Sequence, residues 1–298
     1  DMALVPKQQA AEAPAGDPQA SVRKDYELAL QIGNRAAWEV FLQQYPEGFY
    51  AKLAKVQLNK IAAEEDRAAA TVKAQQAESD EETRRLVDSI SGRQLIIGVD
   101  RLDYSKGILD RINAIGELLS SRSDYRNRIT FVQIAAPSRI DVRRYKSLRR
   151  EIEASAGRVN GRHAEIDWVP IRYLNRVFPR RQLAGFYRVA RLGLVTPLRD
   201  GMNLVAKEYV AAQRPEDPGI LVLSRFAGAA REMSSGALIV NPFDTVEGAE
   251  AIDRGLRMPL EERRERWVGL METLRRNDLA RWSDRFLDAL SAPGRVAA

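Results

Sequence analysis

The chain has no cysteine and a single histidine, His163, among its 298 residues. The first absence excludes a disulfide framework and thiolate catalysis. The second leaves His163, read as an exposed loop residue in Gly161-Arg-His-Ala164, without a companion to complete a transition-metal ligand set. No Asp-x-Asp pair occurs that could hold a divalent cation, so neither a metal nor another cofactor is expected. No apolar run approaches the roughly 20 residues that cross a bilayer. The amino terminus lacks the charged-then-apolar pattern of a secretory signal. A cytoplasmic protein with no membrane partner is expected.

What is present suffices for a full-sized core, with 45% hydrophobic and 30% charged residues. The formal charge of +6 raises the question of nucleic acid. The arginines, however, alternate with acids and apolar residues, as in Arg143-Arg-Tyr-Lys-Ser-Leu-Arg-Arg-Glu151 and Glu261-Glu-Arg-Arg-Glu-Arg266, which is the pattern of solvated helix surface. No nucleic-acid-binding signature accompanies them, and no nucleic-acid partner is expected.

The chain divides by composition. Residues 1–20, rich in Ala, Pro, Gln and Gly, are expected to be a disordered tail. From Asp25 to Tyr45 apolar residues recur at helical spacing up to a Pro46 and Gly48 stop, and a second helix runs through Tyr50, Leu53, Ala54 and Ile61. Residues 21–62 thus read as a helical hairpin that weakly resembles a tetratricopeptide unit. Residues 63–90, dense in Ala, Glu, Lys, Arg and Gln, read as an extended charged helix or linker. From about 91 to 290 short β-rich runs alternate with helical patterns: strands at Leu95–Val99, Ile129–Ile134, Glu165–Val169, Leu192–Val195, Ile220–Leu223 and Ala237–Val240. Helices are expected from Ile108 onward and at about 139–155, 180–189, 204–213, 245–256 and 260–290. This alternation predicts an α/β fold, a doubly wound parallel sheet, with a short tail at 291–298.

Two polar loops stand out. Arg101-Leu-Asp-Tyr-Ser-Lys-Gly107 follows the first strand, and Arg199-Asp-Gly-Met-Asn-Leu-Val-Ala-Lys-Glu208 follows the Leu192 strand. Each opens a helix, so both lie at carboxyl ends of strands, where open α/β sheets bind ligands. A guanidinium such as Arg101 can hold phosphate oxygens in a fork, Lys106 can act as a point charge, and helix amino termini add oriented amides. In isolation the same two cations would read as exposed loop residues paired with Asp100 or Asp103. Gly201 lets backbone approach a ligand, and Met202, Asn203, Leu204 and Val205 open the second helix. Glu208, one turn on, can accept from vicinal ribose hydroxyls or else pair with a neighbouring base. Phe178, an aromatic before Pro179, reads by itself as plain packing.

The residues from about 92 to 290 resemble the carboxyl-terminal half of the trehalose-6-phosphate synthases, family 20 retaining glycosyltransferases of the GT-B fold. The resemblance rests on GVDRLDYSKG (98–107), FVQIAAPSR (131–139), Trp168-Val-Pro-Ile-Arg-Tyr173, GLVTPLRDGMNLVAKEYVAAQ (193–213), LVLSRFAGAA (221–230) and NPFD (241–244). It implies transfer of glucose from UDP-glucose to glucose 6-phosphate, without metal, through front-face displacement with retention. It also implies that Arg101 and Lys106 contact the diphosphate. Asp200, with the backbone from Gly201 to Asn203, orients glucose, and the amides of Leu204 and Val205 reach a phosphate. Arg139 holds the acceptor's phosphate, and Phe178 lies where uracil sits. Arg191 and Arg225 depart from the family pattern outside these positions.

A GT-B enzyme places its site between two Rossmann-like domains, and residues 1–90 show neither alternating strands nor a Gly-rich loop. The chain is therefore expected to be a donor-binding fragment without an acceptor domain, inactive alone. Two competing readings are a nucleotide-sugar-binding module without turnover and a helical interaction protein bearing an α/β remnant. An apolar stripe through Trp267, Leu270, Met271, Leu274, Leu279, Trp282, Phe286 and Leu290 either folds against the 25–88 helices, stays exposed for self-association or a helical partner, or is buried on its own domain.

Overall fold

A computed structural model describes residues 20–139 and 141–291, without the Ser291 side chain. Apart from Ala20 and Ser291, both helical, the tails expected at 1–20 and 291–298 lie outside the described residues. The chain separates into two compact units, Asp1–Gln76 and Ala77–Ala298.

In the first unit, α1 (Ala20–Ile32), α2 (Arg35–Gln44) and the start of α3 (Phe49–Ile90) close on a small aromatic core of Trp38, Phe41, Ala29 and Ala54. The single helix expected from Asp25 to Tyr45 is broken in two. Gly33 takes φ +69°, and the Asn34 side chain accepts a hydrogen bond from Ala37 N at 2.9 Å, so a left-handed stop is followed at once by a helix cap. The two helices expected between Tyr50 and Asp88 are instead one, of 42 residues. No glycine or proline interrupts the sequence between Gly48 and Gly92, and its Ala, Glu, Lys, Arg and Gln content favours helix throughout. The last turns of α3 belong to the second unit, where Leu86 and Ile90 pack beneath the sheet.

That unit is a six-stranded parallel sheet in the order β3-β2-β1-β4-β5-β6, formed by β1 (Gln94–Arg101), β2 (Ile129–Ala136), β3 (Ile171–Leu174), β4 (Leu192–Val195), β5 (Ile220–Ser224) and β6 (Leu238–Val240). Alternate residues face opposite sides, as strand geometry requires. Ile96, Phe131, Leu194 and Val222 meet α4 (Ile108–Ser121), α5 (Arg143–His163) and α9 (Thr245–Arg257), which supply Ile112, Ile152 and Ile252. Leu95, Ile97, Val132 and Leu221 face α6 (Arg180–Val189), α7 (Leu204–Ala212), the short α8 (Ala230–Met233) and α10 (Leu260–Arg276), which supply Phe186, Tyr209, Met233 and Leu270. Helices on both faces make the sheet doubly wound, and no helix among the described residues is long and apolar enough to cross a membrane.

The third strand lies later than the sequence pattern placed it. Residues 165–169 make only an isolated antiparallel bridge between Glu165 and Trp168, and Ile166 is fully exposed. The strand is Ile171–Leu174, registered against β2 by Phe131 opposite Ile171. Its outer edge at Ile171 is closed by the Asn160 side chain, which donates to Ile171 O at 2.9 Å and accepts from Ile171 N at 3.0 Å. Helix α5 runs to His163, beyond its expected end, and carries that residue into a buried position: His163 is 5% exposed, with Nε2 at 3.3 Å from Ser120 Oγ. It is not the exposed loop residue expected. Burial, with Arg126 and Arg162 nearby, lowers its pKa. The helix expected over 260–290 breaks at Asn277, so α11 (Leu279–Ser291) is separate. Leu270 is buried, with Trp267, Met271 and Leu274 packed against the sheet-face core, whereas Leu279, Trp282, Phe286 and Leu290 are exposed and Trp282 stacks on Phe286.

The carboxyl ends of β1, β2 and β4 are joined by one buried polar cluster. Arg111 of α4 donates to Asp100 Oδ2 at 2.5 Å, Gln133 Oε1 at 2.8 Å and Thr196 Oγ1 at 3.1 Å. The Arg111 and Asp100 side chains are 0% and 2% exposed. Gly98 leaves room for the cluster, since a Cβ there would sit 2.5 Å from Gln133 Oε1 and 2.6 Å from Arg111 Nη1. Burial pushes the Asp100 carboxyl up while the guanidinium beside it pulls the other way. Removing one partner of such a pair leaves an uncompensated buried charge. Arg111→Met should therefore lower unfolding free energy by about 3–5 kcal/mol in urea titration, and adding Asp100→Asn should restore part of it; an unchanged midpoint for the single variant would contradict this assignment.

Candidate functional site

Strand order reverses direction between β1 and β4, and the loops following these two strands lie on either side of that switch point, the crevice where open α/β sheets take ligands. After β1 the chain turns at once. Asp103 caps a one-turn 3-10 helix, Tyr104–Lys106, accepting from Ser105 N at 2.9 Å and Ser105 Oγ at 2.8 Å. Gly107 follows with φ +62°, and a Cβ there would collide with Thr196 O. Glycine is required on both counts, and the result is that the loop closes directly over the end of β4.

The second loop is tied to the first through backbone. Ser105 O accepts from Leu198 N at 2.8 Å and from Arg199 N at 3.3 Å. On its other side Asp200 N donates to Phe226 O at 3.2 Å, and Gly201 O accepts from Gly228 N at 2.6 Å. Asn203, at φ +54°, caps α7 by accepting from Ala206 N at 3.1 Å. The amides of Leu204 and Val205 precede the first intrahelical bond of α7 and so have no partner within that helix.

Lys106 and Asp200, 94 residues apart in sequence, meet at 2.7 Å with side chains 16% and 20% exposed. Lys106 is therefore paired across the two loops rather than with Asp100 or Asp103. Asp200 is the junction: the same Oδ2 accepts from Asn203 Nδ2 at 2.8 Å, and Oδ1 accepts from Gly201 N at 2.9 Å. Arg101 stands exposed at the end of β1, with no salt bridge among the described residues. Gly201, Met202 and Leu204 are exposed, Asn203 and Val205 half-buried, and a Cβ on Gly201 would meet no protein atom within 4 Å.

Arg139, at φ +46°, joins the same loop cluster through Tyr145. Its Nη1 donates to Tyr145 Oη at 3.1 Å, and Tyr145 donates in turn to Asp103 Oδ2 at 3.0 Å. Burial and the bond to Asp103 push the Tyr145 phenol up. Burial acts to raise the Asp103 carboxyl as well, yet hydrogen bonds from Ser105 and Tyr145, with Arg101 close by, outweigh it and hold the group below the usual carboxylate range. Glu208 is half-buried on α7 and has no salt bridge among the described residues, while its neighbour Lys207 pairs with Glu232 at 2.9 Å. Phe178 is 8% exposed, packs edge-on against Phe186, and has Arg176 4.4 Å above its ring. It is a wall of the core rather than an open stacking face.

Sequence reading did not single out Arg111, Gln133, Ser105 or Tyr145, which position the site. Arg111 had a signal: it interrupts the apolar stripe Ile108, Ile112, Ile115, where a cation needs a buried partner. Tyr145 had none, since its partner Asp103 lies 42 residues earlier in the chain.

The sequence model of glycosyltransferase family 20 matches residues 47–292. A trehalose-6-phosphate synthase of Sinorhizobium fredii is 53% identical over 219 residues, covering 74% of this chain and 47% of that protein. A crystal structure of an alpha,alpha-trehalose-phosphate synthase (UDP-forming) from Burkholderia xenovorans with glucose-6-phosphate aligns at TM-score 0.68 and 51% identity, covering 70% of this chain and 45% of that one. A structure from E. coli bound with UDP-2-fluoro glucose aligns at TM-score 0.68 and 44% identity, covering 74% and 50%. The chain thus spans about half the length of the relatives it matches.

The fit of the first loop over β4 depends on Gly107. Gly107→Ala adds left-handed strain and a collision with Thr196, and should cost about 2–4 kcal/mol of stability. Thermal unfolding of the variant measures this, and an unshifted transition would show that the loop does not pack as described.

Proposed function

The chain belongs to glycosyltransferase family 20, and we propose that the crevice between its β1 and β4 loops binds the donor, UDP-glucose, for transfer of glucose to glucose 6-phosphate. The observation that carries this reading is the meeting of Lys106 with Asp200 beside the amino termini of α4 and α7. Lys106 lies there, Arg101 stands exposed at the adjoining end of β1, and the first amides of α7 have no partner within that helix, which is the equipment a diphosphate needs. The similar structures solved with UDP-2-fluoro glucose and with glucose-6-phosphate support the same substrate classes.

In the transfer, the bond between the glucosyl anomeric carbon and the β-phosphate oxygen breaks, and its electron pair stays on the departing UDP. The acceptor hydroxyl forms the new bond on the same face, and its proton passes to the diphosphate. Products are trehalose 6-phosphate and UDP. Negative charge on the diphosphate grows as the bond lengthens, so charge placed beforehand stabilises the transition state more than the ground state. Arg101 and Lys106 supply it, with the amides of Leu204 and Val205. Asp200 keeps the ammonium in place and, with the backbone from Gly201 to Asn203, faces the glucose. Glu208, carrying no salt bridge among the described residues, receives the ribose hydroxyls, Phe178 backs the uracil side, and Arg139 takes the acceptor phosphate.

Calorimetry with UDP tests the donor reading. Lys106→Ala should weaken UDP binding by about 1.5–3 kcal/mol, roughly ten- to a hundredfold. Gly201→Ala should leave the unfolding transition unchanged, because the protein has room for the methyl, yet weaken UDP-glucose binding, because the sugar does not. UDP affinity that is equal in the Lys106 variant and the unaltered chain would sink the assignment.

A further inference from the structure

At the opposite end of the sheet, beneath the amino ends of β1, β4 and β5, lies a groove of about 550 Å³. Its described lining includes four arginines, Arg93, Arg188, Arg191 and Arg214, against one carboxylate, Asp217. Asp217 is already committed: it accepts from Arg263 Nη1 at 2.6 Å and lies 3.4 Å from Arg191. Arg93 is held by Asn127 at 2.7 Å, while Arg188 and Arg214 are exposed and make no salt bridge among the described residues.

Arg191 is the telling residue. Among the described residues its Nε is buried with no hydrogen-bond partner, and its side-chain contacts to Asp217 and to Met258 O are both at 3.4 Å. Burying a guanidinium donor without an acceptor is costly, and a second guanidinium, Arg263, competes for the same carboxylate. Burial and Arg263 together lower the pKa of Arg191. Packing requires little of this, because an apolar residue would fill the position at lower cost. Val87 and Ile90 give the groove an apolar wall beside the cations.

We propose that this groove is a second anion site, separate from the donor crevice, for a small organic phosphate whose phosphate sits among Arg191, Arg188 and Arg214 and whose apolar body rests on Val87 and Ile90. Guanidinium forks match phosphate oxygens bidentately, and a dianion balances the charge that Asp217 cannot. The carbon skeleton distinguishes the expected ligand from free phosphate, which would use the arginines alone.

The probe is phenyl phosphate, with inorganic phosphate as comparison, titrated by calorimetry at fixed ionic strength into full chain carrying Arg101→Ala and Lys106→Ala. The donor crevice is thereby disabled. One phenyl phosphate should bind, more tightly than inorganic phosphate, and Arg188→Glu with Arg214→Glu should weaken it roughly tenfold or more. Both substituted residues are exposed, and UDP binding by a chain carrying only these two changes should match the unaltered protein, which verifies folding. The proposal is overturned if phenyl phosphate fails to bind the donor-disabled chain, if it binds no better than inorganic phosphate, or if the two Glu substitutions leave its affinity unchanged.

Discussion

The Asp100–Arg111 pair, buried beneath the carboxyl ends of the central strands, is the constraint on which the site depends. Neither charge can reach water, so each must find its partners inside, and the side chains that β1, β2, α4 and the end of β4 bring together provide them. Arg111 also donates to Lys106 O at 3.2 Å, so the backbone that carries the site lysine is fixed from below. A loop held this way keeps its charged side chain in place before any ligand arrives, which is where electrostatic catalysis gains most.

From that base the crevice is built by close approach. Gly107 lets the first loop lie on Thr196, Ser105 O takes two amides of the second, and Lys106 reaches Asp200. The Asp200 carboxylate then ties Lys106 to Asn203, the cap of α7. One chain of contacts thus runs from the buried pair to the amino terminus of a second helix. The amino termini of α4 and α7 lie beside the Lys106–Asp200 contact because the sheet changes winding direction there.

The sequence made the strand and helix alternation legible because the central strands are buried on both faces and read as continuous apolar runs, such as Leu95-Ile-Ile and Ile220-Leu-Val-Leu. The pairing of the Lys106 and Asp200 loops was legible as two strand-loop-helix units, though not the contact itself. The misplaced third strand shows the limit: Ile166 and Val169 carry strand-like side chains, yet Trp168 is held by its indole donating to Ile129 O at 2.7 Å, and pairing with β2 begins only after Pro170. His163 is buried rather than exposed because α5 outlasts its apolar pattern. Gly33-Asn34 did carry the break between α1 and α2, as a stop and a cap in adjacent positions.

The central claim is that the loops after β1 and β4 act as one anion-binding unit through Asp200. A double-mutant cycle on UDP affinity, combining Lys106→Ala with Asn203→Ala, tests it most directly, since both side chains donate to the same carboxylate oxygen. The account predicts that the two losses are not additive, with a coupling of about 0.5–3 kcal/mol. Losses that add within about 0.5 kcal/mol, or no loss from either substitution, would contradict it.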